Sequence, residues 1–188
     1  ATEHLLEILD EPAEDISPVM AIAPENHLDG EISFRNVSFH YPSRPDLTIM
    51  NDVSFDVYAD QKVALVGPSG AGKSTIVSLL LRLYDPVNGN ILFDGKESSS
   101  FPLSQLRSQM AVVPQDVFLF GGTIAENIAY GKPGATVEEM EAAAKQANAW
   151  EFIQRFPLGL DTVVGERGIQ LSGGQRQMLA MARALMTN

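Results

Sequence analysis

The sequence predicts an α/β fold: a half-buried β region and a short apolar strand, followed by a run of helices. Three observations predict it. Apolar and polar residues alternate between Ile32 and Val57, the period of strands with one face buried. The apolar run Lys62–Val66 enters a glycine-rich turn and then a segment with a helical apolar face. Beyond Gln115 the texture is helical, with Ser or Thr cap residues answered three positions later by Glu or Gln. Strands around such a turn, followed by helices, imply an α/β core carrying a helical insertion.

In chain order, Leu5, Leu6 and Leu9 set among Glu3 and Glu7 form a short helix-like pattern. A Pro- and acid-containing stretch from Glu11 to Gly30 then reads as a linker. Ile32 and Phe34, then Val37, Phe39 and Tyr41, then Val53, Phe55 and Val57 mark strands, with a turn at Pro42-Ser43-Arg44-Pro45. After the strand Lys62–Val66 a helix is expected from about Lys73 to Leu83. A hairpin-like segment follows at Gly89–Gly95, then a short helix at Leu103–Gln109 and a strand at Met110–Val113. Thr123 with Glu126, Thr136 with Glu139, and Ser172 with Gln175 are spaced as capping boxes and open three helices; a further helix is expected at Ala149–Phe156.

Composition narrows the function. Hydrophobic residues make up 45% of the 188 and charged residues 20%, so the chain can build a core. No apolar run approaches the ~18 residues that span a bilayer, and the acidic N-terminus lacks a signal-peptide pattern. The segment is therefore expected to be soluble. Cysteine is absent, which excludes disulfides and thiolate metal sites. A net charge of −11, with no basic patch, argues against a nucleic-acid partner.

The strongest motif is Gly67-Pro68-Ser69-Gly70-Ala71-Gly72-Lys73-Ser74, the pattern G-x-x-x-x-G-K-[ST] between a strand and a helix. Glycines let successive N–H groups turn inward and cradle a β-phosphate that side chains would obstruct. The helix N-terminus adds partial positive charge at the same place. Lys73 reaches the β- and γ-phosphates, the Ser74 hydroxyl ligates Mg²⁺, and Thr75 is placed to touch the α-phosphate. The ligand class is a nucleoside triphosphate.

A phosphate loop alone does not choose among kinases, GTPases and motors. The choice comes from Leu171-Ser172-Gly173-Gly174-Gln175, followed by Arg176-Gln177-Met178-Leu179-Ala180-Met181-Ala182-Arg183-Ala184. By itself this is a capped helix with two bare glycines; beside the first motif it reads as a second anion site. The string resembles the signature motif of ABC ATPases. That resemblance covers essentially the whole chain, and it implies a P-loop NTPase (RecA-like) core with an antiparallel β subdomain and a helical subdomain. It also implies that Tyr41, about 26 residues before the loop, stacks on adenine. Gln115 matches the family's Q-loop glutamine, which reaches Mg²⁺ and the attacking water and couples the site to the membrane domain. Thr162–Gly168 is similar to the segment preceding the signature in exporters of multidrug, lipid and peptide type.

The family's signature helix is followed by an apolar strand ending in Asp-Glu and later by a switch histidine. Here the sequence closes at Leu185-Met186-Thr187-Asn188, so the C-terminal part of the core is expected to be missing. Ile91-Leu92-Phe93-Asp94 imitates the missing strand, but Gly95 stands where the glutamate should, and His4, His27 and His40 all precede the loop. Hydrolysis by these residues alone is expected to be absent or very slow.

The expected organisation is a connector from a membrane domain over 1–30 and an ATP-binding core with β subdomain over 31–115. A helical subdomain ending in the signature follows over 116–175, and then the start of a returning helix over 176–188. The expected cofactors are ATP and Mg²⁺. They would be bound by Tyr41, Gly67, Ser69, Gly70, Gly72, Lys73, Ser74 and Thr75, with Ser74 and Gln115 on the metal and Gln115 and Lys73 acting on the reaction. Ser172, Gly173, Gly174 and Gln175 would close the site from a second nucleotide-binding domain in a head-to-tail pair. The parent would be an ABC exporter with its ATPase on the cytoplasmic face of a membrane. The alternative is a non-hydrolysing ATP-binding fragment or interaction module; a soluble kinase or repair ATPase fits less well, because repair ATPases carry long coiled-coil insertions.

Overall fold

The computed structural model describes Glu14, residues 27–165 and residues 168–187. The helix-like pattern at Leu5–Leu9 and most of the connector lie outside the described residues. The chain folds as two compact units, residues 1–107 and 108–188.

The first unit is built on an antiparallel sheet. Strand β1 (Ile32–Phe39) lies between β2 (Met50–Val57) and β3 (Asn88–Phe93), and β4 (Lys96–Glu97) extends β3, giving the order β2-β1-β3-β4. The break in alternation between Phe34 and Val37 is a β-bulge: the register with both neighbours shifts there, and Asn36 has φ 52°. The bulge keeps Phe34, Val37 and Phe39 all buried, and Phe34 stacks on Phe55 with ring centroids 4.5 Å apart. Asn36 is held by its N–H donating to Ser54 Oγ and its Nδ2 donating to Asp52 Oδ1, both at 2.8 Å. Gly89 lies directly against this bulge, where a Cβ would stand 2.3 Å from the carbonyl oxygens of Arg35 and Asn36. The β3–β4 turn is made by Asp94 and Gly95, both with positive φ, as a two-residue hairpin requires. The Asp94 carboxylate accepts the N–H groups of Asp29 and Glu31 at 2.8 Å, which gives the imitation Ile91–Asp94 segment a structural role.

Helix α1 (Lys73–Leu80) buries Thr75 and Leu79, and is shorter than the expected 73–83. It ends because Arg82 turns to φ 49°. Arg107, at the end of α2 (Leu103–Arg107), then takes up the exit carbonyls: Nε donates to Leu81 O at 2.8 Å and Nη2 to Arg82 O at 2.9 Å. The same guanidinium pairs bidentately with Glu14 at 2.6 and 2.9 Å, and these bonds lower the carboxyl pKa below its usual range.

Two expected strands are corrected. Lys62–Val66 and Met110–Val113 form no strand and join no ladder among the described residues. A short parallel strand holds only between neighbours, and among the described residues the sheet of the first unit consists of four antiparallel strands. Val66 is consequently 92% exposed, and Val112 half exposed.

The second unit is helical. A two-stranded piece, β5 (Gly122–Thr123) with β6 (Val163–Val164), ties together α3 (Ile124–Ala129), α4 (Val137–Gln146), α5 (Trp150–Ile153) and α6 (Gly173–Leu185). All three expected capping boxes form. Thr123, Thr136 and Ser172 accept from the third residue of their helices, and Glu126, Glu139 and Gln175 accept in return from the cap N–H. Each cap contributes about 1 kcal/mol. The α6 helix lies on α3 and α4, and Ile124, Ile128, Ala144, Ile153, Leu179 and Ala182 close a core with no exposed surface.

Candidate functional site

The loop Gly67–Ser74 turns at its glycines. Gly70 and Gly72 sit at φ 82° and 84°, a region that side chains resist, so the backbone can curl around a central point. The Lys73 ammonium folds into that curl, donating to Gly67 O at 2.8 Å and Pro68 O at 2.7 Å. Helix α1 opens on Gly72 with no side-chain capping bond and no acid in its first turn. Its leading N–H groups and positive dipole end are therefore left without a side-chain acceptor from the cap position. Ser74 is exposed at the same end. These residues fit a phosphate chain and a hard cation with oxygen ligands.

Tyr41 is brought to this helix from the turn after β1. Its hydroxyl and Thr75 Oγ1 share a hydrogen bond of 3.1 Å. Its ring meets Phe39 and Tyr84 in T-shaped contacts at 5.0 and 5.2 Å. Sequence reasoning did not single out Tyr84; the clue was an aromatic just past the end of an apolar helix face.

Gln115 and the signature residues belong to the second unit. Gln115 is exposed at a bend shortly after Met110–Val113. With Asp116, Gly173, Arg176 and Gln177 it lines a hollow of about 390 Å³ beside the start of α6. In the Ser172 box, Gln175 N donates to Ser172 Oγ at 3.3 Å and Ser172 N donates to Gln175 Oε1 at 2.9 Å. Gly174 is exposed, and a Cβ there would meet nothing within 4 Å. Neither packing nor φ explains this glycine, which weakens the helix by ~1 kcal/mol relative to alanine.

A family model described as ABC transporter matches residues 50–188. The chain belongs to the ABC transporter family. It is 54% identical over 167 residues to ABC transporter B family member 3 of Dictyostelium discoideum, covering 89% of this chain and 12% of that protein. It is 49% identical over an alignment of 189 positions to the mitochondrial ATP-dependent permease MDL1 of Schizosaccharomyces pombe, covering 100% of this chain and 26% of that one. A bacterial Atm1-family ABC exporter solved with ATP bound superposes with a TM-score of 0.84 at 45% identity, covering 100% of this chain and 32% of the other. The fold is that of a P-loop NTPase, and the segment is the nucleotide-binding domain type found in ABC exporters. The chain spans about a quarter or less of these curated relatives.

Within this ABC segment, a cluster that sequence reasoning missed joins α3 to α6. Asn127 is 1% exposed, and its Nδ2 donates to Phe120 O at 2.9 Å and Thr123 O at 3.0 Å while its Oδ1 accepts from Phe120 N at 2.9 Å. Arg183, inside the signature string, completes the set and lies over the Phe120 ring at 4.9 Å. Burial lowers the Arg183 pKa. The signal was an asparagine between Ile124 and Ile128 on an otherwise apolar helix face. Of the exporter-like segment, Val163–Val164 forms β6, while Glu166 and Arg167 lie outside the described residues.

Proposed function

We propose that this chain is the Mg-ATP-binding domain of an ABC exporter whose complete form hydrolyses ATP to drive export. The observation that carries it is the first turn of α1: bare of any side-chain cap, headed by two glycines of positive φ, with the Lys73 ammonium already inside the loop. In this reading the N–H groups around Gly67, Ser69, Gly70 and Gly72 receive the phosphates, and Lys73 leaves its own carbonyls for the β- and γ-oxygens. Ser74 and Gln115 supply oxygens to Mg²⁺, which neutralises charge on the phosphate chain when bound. Tyr41 offers its ring to the adenine.

The signature residues serve a second copy of the domain, in a homo- or heterodimer. Gly173 and Gly174 present an open helix start, and the glycine that nothing inside the chain requires is explained by close approach of a partner's phosphate. Two sites shared head-to-tail would make ATP binding close the pair. Gln115 and the neighbouring exposed aromatics Phe118, Phe120 and Tyr130 would pass that closure to the transmembrane domains. No described helix is long and apolar enough to cross a membrane. Attachment to membrane domains would place this domain at the cytoplasmic face.

The test is titration of a fluorescent ATP analogue with Mg²⁺ into the full chain and its Lys73→Ala variant. Saturable binding that weakens at least tenfold in the variant is expected. Equal binding by both proteins, or none by the unaltered chain, overturns the reading.

A further inference from the structure

Helix α1 ends in a tight reversal. The Arg82 N–H donates to Leu79 O at 3.0 Å and the Leu83 N–H to Ser78 O at 2.9 Å, the paired bonds of a left-handed helix exit. Glycine or asparagine usually fills that left-handed position, but here it is Arg82, at φ 49°. Its guanidinium gives a reason: Nη1 donates to Ser98 O at 2.9 Å and to Phe101 O at 2.8 Å. The carbonyls of Leu81 and Arg82 are taken by Arg107. Two guanidiniums thus close this helix end, and the main-chain oxygens they meet carry no charge. Among the described residues, Glu14 is the one carboxylate paired with either of them. Its two oxygens accept from Nη1 and Nη2 of Arg107, and the Arg82 charge attracts it further. Glu14 lies 93 positions before its partner, in an acidic N-terminal stretch with no Lys or Arg before Arg35.

We infer that Glu14 is a latch on the exit of α1: its carboxylate fixes the Arg107 fork, and the fork fixes the last carbonyls of the helix. The N-terminal stretch, at residue 14, and the far end of the phosphate-loop helix are thereby joined in one equilibrium. The inference goes beyond the ATP-binding reading and stands without it. A bidentate partner holds the guanidinium plane where Nε and Nη2 reach two separate carbonyls at once; without it the fork is free to turn toward water. The pair is partly open to solvent, with the two side chains 24% and 45% exposed, so salt can release it.

The test is amide hydrogen exchange at Arg82 and Leu83 in the full chain, read by NMR without nucleotide. Glu14→Gln speeds exchange there about threefold, the scale of one partly exposed ion pair, and leaves the amides of β1 unchanged. Arg107→Met speeds it further. Adding Glu14→Gln to Arg107→Met changes nothing more, because the carboxylate acts only through the fork. In 1 M salt the parent approaches the rate of Glu14→Gln, whose own rate stays where it was. Exchange in Glu14→Gln equal to that of the parent overturns the inference, since Arg107 then holds the carbonyls unaided. Equal acceleration in β1 overturns it as well, by reducing Glu14 to a general contribution to stability. Effects that multiply in the double variant are a third refutation. Should Arg107→Met fail to fold, the salt comparison decides: a parent rate at Arg82 and Leu83 that salt leaves unchanged rules the latch out. No nucleotide is present, so failure of ATP binding would overturn the reading of the preceding subsection and leave this result intact.

Discussion

The Arg183 guanidinium donates to both oxygens of Asn127, from Nη2 to Oδ1 and from Nε to the main-chain O, each at 2.9 Å. One residue of the signature helix thereby closes the hydrogen-bonding of a buried asparagine 56 positions earlier. Asn127→Ala would strand the Phe120 N–H, the Phe120 and Thr123 carbonyls and the Arg183 Nη2 donor at once, while the Arg183 Nε bond to the main-chain oxygen remains. A loss of about 3 kcal/mol in urea unfolding is expected. Arg183→Lys should not preserve the arrangement, since an ammonium lacks the planar fork that spans two oxygens. A lysine variant as stable as the parent would show that the fork is unimportant.

Gly89 is required by the β1 bulge and not only by its own φ of 79°. In Gly89→Ala the new methyl meets the backbone of Arg35 and Asn36, which cannot swing aside as a side-chain end would. Destabilisation of at least ~2 kcal/mol is expected from thermal or denaturant unfolding. If the bulge simply shifts, the cost will be small and the amide signals of Asn36 and Ser54 will move.

Ser172→Arg should leave ATP binding at Lys73 unchanged while abolishing ATP-dependent pairing. The arginine removes the Ser172 cap and fills the open start of α6 with a bulky side chain. Sizing by gel filtration or light scattering, with and without ATP, checks this; undiminished pairing in the variant would contradict the proposed trans site.

The Glu139 pKa is lowered first by a side-chain bond from Lys132 and then by the Thr136 N–H. A carboxyl with a lowered folded-state pKa stabilises the protein above the ordinary glutamate value of ~4.3, and this contribution disappears as pH falls through the folded-state value. Glu139→Gln keeps a cap acceptor but removes the charge. It should therefore be less stable than the parent at pH 7, with the gap closing as pH falls below the ordinary glutamate range and narrowing in 1 M salt. Melting curves across that range are the measurement. A gap unchanged at low pH would assign the effect to shape instead of charge.

What could be read from the sequence was local, and what could not was paired over distance. Thr123–Glu126, Thr136–Glu139 and Ser172–Gln175 each decide their bond within four residues, so three helix starts were legible. The phosphate loop was legible for the same reason, because its glycines, lysine and helix are contiguous. The phase jump from Phe34 to Val37 was visible, but its meaning depended on β2 and β3. Lys62–Val66 and Met110–Val113 have strand composition, yet a strand exists only through a partner, and the described residues provide none. The hydrogen bond between Thr75 and Tyr41 was not legible either, because the two residues stand 34 positions apart in the string.

Among the described helices of eight or more residues, α1 alone begins without a side-chain cap. It follows that this turn resists improvement. An oxygen-bearing side chain that capped α1 would raise the melting temperature and would occupy, with its own oxygen, the place a phosphate oxygen is read to take. Selection for thermal robustness should therefore accumulate changes in the helical unit and leave residues 67–75 as they are, a soft spot whose openness is what the proposed binding requires.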